Sequence, residues 1–149
     1  MSTFKIQPIE NLSGVDIDPL LEESKEEGFH FLERLKLDYI QGTNTFNKPG
    51  EWLYGVFNEK EELIAIAGLN IDPFTNDKTI GRLRRFYVSR DVRRKGVGGF
   101  MLKEIITAAK SYYSILVLYT DTTQAGAFYL KFGFICENKY PNSTHFLKL

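Results

Sequence analysis

The chain has a single cysteine, Cys136, so no disulfide can form within it and no cysteine-based metal cluster can be built. The expected use of that thiol is as a small packing residue. Charge of one sign is also lacking. The 19 Lys and Arg balance 19 Asp and Glu, which removes any global pull toward nucleic acid or an anionic membrane and leaves anion binding to local clusters. No apolar run is long enough to span a bilayer, and Met1 to Ile9 lack the basic start and apolar block of a secretory signal. A cytoplasmic location is the expectation. Repeats, linkers and low-complexity stretches are missing as well. What is present is a globular balance of 43% hydrophobic and 14% aromatic residues over 149 positions, which fits one folded domain spanning 1–149.

Periodicity divides the chain into elements. Phe4, Ile6 and Ile9, with Pro8 between them, predict a short edge strand. Leu20, Leu21 and Ser24 mark one short helix. Phe29, Leu32, Leu35, Tyr39 and Ile40 recur at helical spacing in a second, which Gly42 ends. Trp52 to Phe57 and Leu63 to Ile71 read as a hairpin, and Thr79 to Val88 as a further strand. In that last strand the alternation breaks. Phe86 and Val88 fall in phase with Arg84, and Leu83 falls opposite with Arg85 and Tyr87, so one apolar face requires an inserted residue, a β-bulge near Arg84 to Phe86. Leu102, Ile105, Ile106 and Ala109 form a helical stripe, and Ile115 to Tyr119 is a compact apolar strand. Thr122 or Thr123 can cap a helix running to Leu130 that Gly133 closes. Phe134 to Glu137 and Thr144 to Leu149 complete a terminal strand pair.

Between the irregular strand and the next helix lies Arg93-Arg94-Lys95-Gly96-Val97-Gly98-Gly99. Glycines there let backbone amides face inward, the helix adds its positive N-terminal end, and three adjacent cations add charge. A pyrophosphate fits such a loop better than the bland alternative, a solvated basic turn. A Walker loop needs Lys and then Ser or Thr after its last glycine, and here Gly99 and Phe100 follow Gly98. A dinucleotide fingerprint needs a third glycine where Met101 stands.

Arg93-x-x-Gly96-x-Gly98 after Leu83-Arg84-Arg85-Phe86-Tyr87-Val88 resembles the acyl-CoA signature of the GNAT superfamily of N-acyltransferases. Tyr129-Leu130-Lys131-Phe132-Gly133-Phe134 is similar to that family's second motif, and with the order of elements the resemblance spans nearly the whole chain. It implies an α/β (α+β) fold: a mixed, mostly antiparallel sheet of six to seven strands, about four helices, and a V-shaped split between two central strands. It also implies acetyl-CoA as cosubstrate and an amine as acceptor, with no metal, no nucleic acid, no membrane, and a monomer or homodimer. The backbone around Phe86, Tyr87 and Val88 would pair with the pantetheine arm. Amides and side chains of Arg93, Arg94, Lys95, Gly96, Val97, Gly98 and Gly99 would hold the pyrophosphate. Thr123 and Gly126, at positions where relatives often carry Asn and Ala, would border the pantetheine arm.

For catalysis, the resemblance implies that the Val88 N–H stabilises the oxyanion and that Tyr129 faces the leaving sulfur. A phenol at about pKa 10 against a thiol at about 8.5 makes a hydrogen bond to the thiolate the better description than full proton donation. The alternative for Tyr129 is packing among Phe128 and Phe132. Relatives often place a Glu base early in the bulged strand, where Gly81 and Arg82 stand here. Glu51, Asp72 or water remain as routes for the amine proton, and exposed carboxylates near strand ends are ordinarily solubilising. His30 and His145 read as structural. Glu22, Glu23, Glu26, Glu27 and Glu33 lie in the early helices, a region that borders the acceptor site in this family and would suit a cationic amine or basic peptide; a solvated helix face is the plainer reading. Two rivals belong to other classes: a non-catalytic acyl-CoA-binding sensor or interaction module, and a nucleotide-binding domain.

Overall fold

The computed structural model describes residues 3–149. Its elements run β1 (Phe4–Pro8), α1 (Asp18–Glu26), α2 (Phe31–Gln41), β2 (Trp52–Asn58), β3 (Leu63–Ile71), β4 (Ile80–Val88), α3 (Val97–Ala109), β5 (Ile115–Leu118), α4 (Thr123–Lys131), β6 (Ile135–Cys136) and β7 (His145–Lys148). One seven-stranded sheet has the order β1-β2-β3-β4-β5-β7-β6. Only β4 and β5 pair in parallel; the other pairs are antiparallel.

Local chemistry accounts for the boundaries. Pro19 sits in the first turn of α1, where a missing N–H costs nothing. Gly42 ends α2 in the left-handed region at φ 76° and returns its N–H to carbonyls of the last turn. At the β2–β3 turn, Asn58 Oδ1 accepts from Lys60 N at 3.0 Å and Glu62 N at 2.9 Å. Thr122 caps α4, its hydroxyl accepting from Ala125 N at 3.2 Å.

β3 is buried along nearly its whole length because both faces of the sheet are covered. Under α3 and α4 lies one core that includes Leu69, Leu83, Met101, Leu102, Leu116 and Phe134. Under α1 and α2 lies another that includes Leu20, Leu32, Leu35, Leu53, Ile66 and Tyr87. The predicted bulge is present. Ile66 pairs with Tyr87 and Gly68 with Arg84, so Arg85 and Phe86 together oppose Ala67, and Arg85 takes φ 59°. The inserted residue puts Leu83, Phe86 and Val88 against the α3–α4 core and Tyr87 against the α1–α2 core.

One packing expectation fails. Cys136 is exposed, because β6 is a two-residue edge strand with neither side chain covered.

Candidate functional site

β4 and β5 diverge. They pair at Ile80–Ile115, Gly81–Leu116 and Arg82–Val117 and then stop. Beyond this point β5 keeps its bonds to β7 as far as Leu118–His145, and β4 keeps its bonds to β3. The β5 side of Leu83–Val88 is thus an unpaired backbone edge in mid-sheet, able to pair with an extended amide-bearing ligand.

The glycine-rich loop closes one end of this split. Ser89 N bonds Ile64 O at 2.8 Å and holds the strand's exit against β3. Arg94 and Gly96 both lie in the left-handed region, at φ 64° and 83°. α3 then begins at Val97 with no side-chain cap, and its first intrahelical bond runs from Phe100 N to Gly96 O at 3.0 Å. The amides of Val97, Gly98 and Gly99 have no partner within the helix, so three backbone donors are left at this end. Gly99 carries a packing duty too: a Cβ there would stand 2.8 Å from Phe132 Cζ, so its absence lets α3 approach the end of α4.

The three cations of the loop separate in role. Arg94 and Lys95 are exposed. The Arg93 side chain is tied inward: its Nε donates to Val88 O at 3.0 Å, Nη1 donates to Glu27 Oε2 at 2.9 Å, and the guanidinium lies 5.4 Å from the Tyr87 ring centre. In this arrangement Glu27 and Val88 hold the Arg93 side chain, while its backbone stays in the loop. Tyr87 turns its side chain the same way. Its side chain is 3% exposed on the α1–α2 side, and its hydroxyl proton is shared between Glu23 and Glu27, so only its backbone borders the split. The sequence pattern hid this network, since Glu27 and Arg93 are 66 residues apart. Glu23 and Glu27 are also not part of a solvated face: Glu23 accepts from Ser89 Oγ at 3.1 Å and from Arg90 N at 3.0 Å. The Arg93 hydrogen bond holds the Glu27 carboxyl below its ordinary range.

On the α3–α4 side the split has an aromatic wall. The Tyr129 ring centre lies 5.9 Å from that of Phe86, 5.2 Å from Phe128 and 5.5 Å from Phe134. Gly98 comes close as well, its missing Cβ 3.4 Å from Val88 Cγ2. Tyr129 is 6% exposed, and burial pushes its hydroxyl pKa well above the usual phenol value. Thr123 is exposed in the first turn of α4, one residue after the cap. Gly126 faces His145, whose Cε1 and Nε2 would lie 3.6 Å from an added Cβ. His145 is buried, its Nδ1 is 2.8 Å from Thr144 Oγ1, and burial pushes its pKa below the ordinary 6.5.

The two carboxylates considered as bases sit at the far end of β4 and are engaged. Asp72 is not exposed: it is 2% accessible, its N–H bonds Ile80 O, and its Oδ1 receives Arg82 Nε at 2.7 Å. Arg82 extends the clasp to the carbonyls of Asn142 and Pro141 at 2.7 and 2.8 Å. Glu51 Oε2 accepts from Asn70 Nδ2 and Ile71 N, both at 3.0 Å. Sequence reasoning passed over Arg84 and Arg85 as site residues. Their adjacency within an apolar strand was visible, but it served only to locate the bulge.

Comparison with known proteins follows the geometry. The model of the Acetyltransferase (GNAT) family matches residues 16–134. A candidate acetyltransferase from Exiguobacterium sp. 255-15 has 28% identity and a TM-score of 0.88, covering 98% of this chain and 93% of its own. A GNAT family acetyltransferase from Staphylococcus aureus Mu50 has 18% identity and a TM-score of 0.73, covering 97% and 96%. A GNAT family acetyltransferase from Elizabethkingia anophelis, with acetyl-CoA bound, has 21% identity and a TM-score of 0.65, covering 98% of both chains. No curated protein matches the chain. With the split sheet, the amide-rich loop and a family match over most of its length, this chain belongs to the GNAT acetyltransferase family.

Proposed function

We propose that the protein transfers an acetyl group from acetyl-CoA to a primary amine by direct attack while both are bound. The observation that carries this reading is the unpaired edge of Leu83–Val88, which ends at the free amides of Val97, Gly98 and Gly99. Pantetheine amides fit the first and a pyrophosphate fits the second. Acetyl-CoA supplies an activated thioester carbonyl. One C–N bond forms, one C–S bond breaks, and one proton leaves the amine.

The chain's own contribution is placement and charge stabilisation. The Val88 N–H serves the carbonyl oxygen as it gains charge. Tyr129 stays protonated because burial raises its pKa, so it offers an O–H to the departing sulfur. Glu51 and Asp72 are bonded elsewhere, so the amine proton leaves through water. The second reading, a non-catalytic acyl-CoA-binding module, draws on Arg82 standing buried and ion-paired in the stretch where relatives often carry Glu.

Two measurements test the proposal. Saturating acetyl-CoA at about 100 times its Kd stabilises a folded-state site by about 2.7 kcal/mol, and Tm should rise by several degrees while ATP and NAD leave it unchanged. Thiol release with an amine panel then separates the readings. Binding with no turnover on any amine selects the non-catalytic module, and no response to acetyl-CoA refutes both.

A further inference from the structure

The α1–α2 side of the split carries an unmatched positive charge. Arg84 lies in the unpaired half of β4, with its side chain on the face opposite Leu83 and Phe86. It is half-buried and makes no ion pair or hydrogen bond among the described residues. Arg85 is next to it, with its side chain 11% exposed. Its Nη2 reaches Asp38 Oδ2 on α2 at a loose 3.5 Å, and its Nε is buried with no partner. Arg34 lies one turn before Asp38 on α2.

The carboxylates that reach this group are already engaged. Asp72 is bonded through Oδ1 to Arg82, with its buried Oδ2 left without a partner, and Asp38 receives Thr43 Oγ1 at 3.0 Å as well as Arg85. Arg82 takes Asp72 and Arg85 takes Asp38, so Arg84 is left without a carboxylate among the described residues. Burial and the neighbouring arginines lower the pKa of both Arg84 and Arg85, Arg85 to about 10. Two half-buried cations side by side, one with an orphaned N–H, are costly until an anion arrives to take their donors. Guanidinium forks suit a carboxylate or a phosphate.

Two of the five glutamates read as suiting a cationic acceptor are not available to one. Glu23 and Glu27 are spent on Tyr87, Ser89, Arg90 and Arg93. Val88 lies four positions after Arg84, about 10–13 Å along the strand.

We infer that the acceptor is a small amine that also bears a carboxylate or phosphate, held by Arg84 and Arg85 beside the split. The inference rests on the acetyltransferase reading above. Its test compares 4-aminobutyrate, O-phosphoethanolamine, butylamine and 1,4-diaminobutane as acceptors with acetyl-CoA. At least one anionic amine should exceed butylamine and the diamine by tenfold or more in kcat/KM, and the better of the two identifies the anion. Arg84→Gln should cut that preference at least tenfold through KM while acetyl-CoA still raises Tm; Arg84→Lys should restore part of it. Equal or better use of the diamine overturns the inference and leaves the acetyltransferase reading standing. So does an unchanged KM in Arg84→Gln. If no amine turns over, the anionic amines should still raise the Tm of the CoA-loaded protein at millimolar concentration, and a flat response overturns the inference. No response to acetyl-CoA itself overturns the reading beneath it.

Discussion

Replacing Tyr129 by Phe removes one hydroxyl and little else. The ring is 6% exposed and its packing on Phe86, Phe128 and Phe134 does not involve the oxygen. Among the described residues the hydroxyl makes no hydrogen bond, so its loss strands no partner, and stability should change by less than about 0.5 kcal/mol. Catalysis should change far more. A hydrogen bond to a charged acceptor contributes about 1.5–3 kcal/mol, and if it forms only as charge develops on sulfur, kcat falls by about 10- to 150-fold. The KM for acetyl-CoA should stay within about threefold, because the hydroxyl gives the bound thioester no comparable bond. Thiol release followed by a chromogenic reagent at saturating acetyl-CoA and amine measures both constants, and a thermal melt checks the fold. A kcat within twofold of the parent refutes the leaving-group role and returns Tyr129 to a packing residue.

Other perturbations act on the frame. Asp72→Ala leaves Arg82 buried with its ion pair gone and should cost about 3–5 kcal/mol in urea unfolding; a cost under 1 kcal/mol would show that the Asn142 and Pro141 carbonyls suffice. Gly68→Ala places a Cβ 2.3 Å from Phe46 Cε1 and should destabilise by about 1–3 kcal/mol, so an unchanged melt would mean that Phe46 moves aside freely. Glu27→Gln weakens the charged bonds to Arg93 and should lower Tm by a few degrees; equal melts would assign the network no net stability. Alkali should loosen the fold as well. Burial, with the charge of Glu51, pushes the Tyr113 pKa up to about 12. The unfolded chain releases that proton first, near pH 10, so this contribution is whole below pH 10 and is lost as pH rises toward 12. The parent's urea midpoint should fall relative to that of Tyr113→Phe between about pH 9 and 11.5, and a constant difference contradicts it.

Much of this was legible in the sequence, and the reasons differ by element. The bulge could be read because Leu83 is out of phase with Phe86 and Val88, and only an inserted residue brings all three to one core. The loop at 93–99 and the helix after it could be read from glycine spacing and an apolar stripe, both local signals. The fates of the charges could not. Arg93 is one of three consecutive cations in the sequence, yet its side-chain partner is Glu27, just past the end of α1. Asp72 looked like a surface carboxylate at a strand end, and only the pairing of β3 with β4 buries it against Arg82. Cys136 was expected inside because cysteine is commonly buried; its exposure follows from the shortness of β6 at the sheet's edge.

The inserted residue at Arg85 bears on how β4 can change over evolutionary time. Losing one residue there would restore simple alternation and turn Phe86, Tyr87 and Val88 over together. Tyr87 would lose Glu23 and Glu27, and Phe86 would leave Tyr129. Single substitutions along this strand can be absorbed one at a time, whereas a one-residue deletion would invert the lining of the split at a stroke. Descendants of this chain should therefore vary in the letters of β4 while keeping its length fixed.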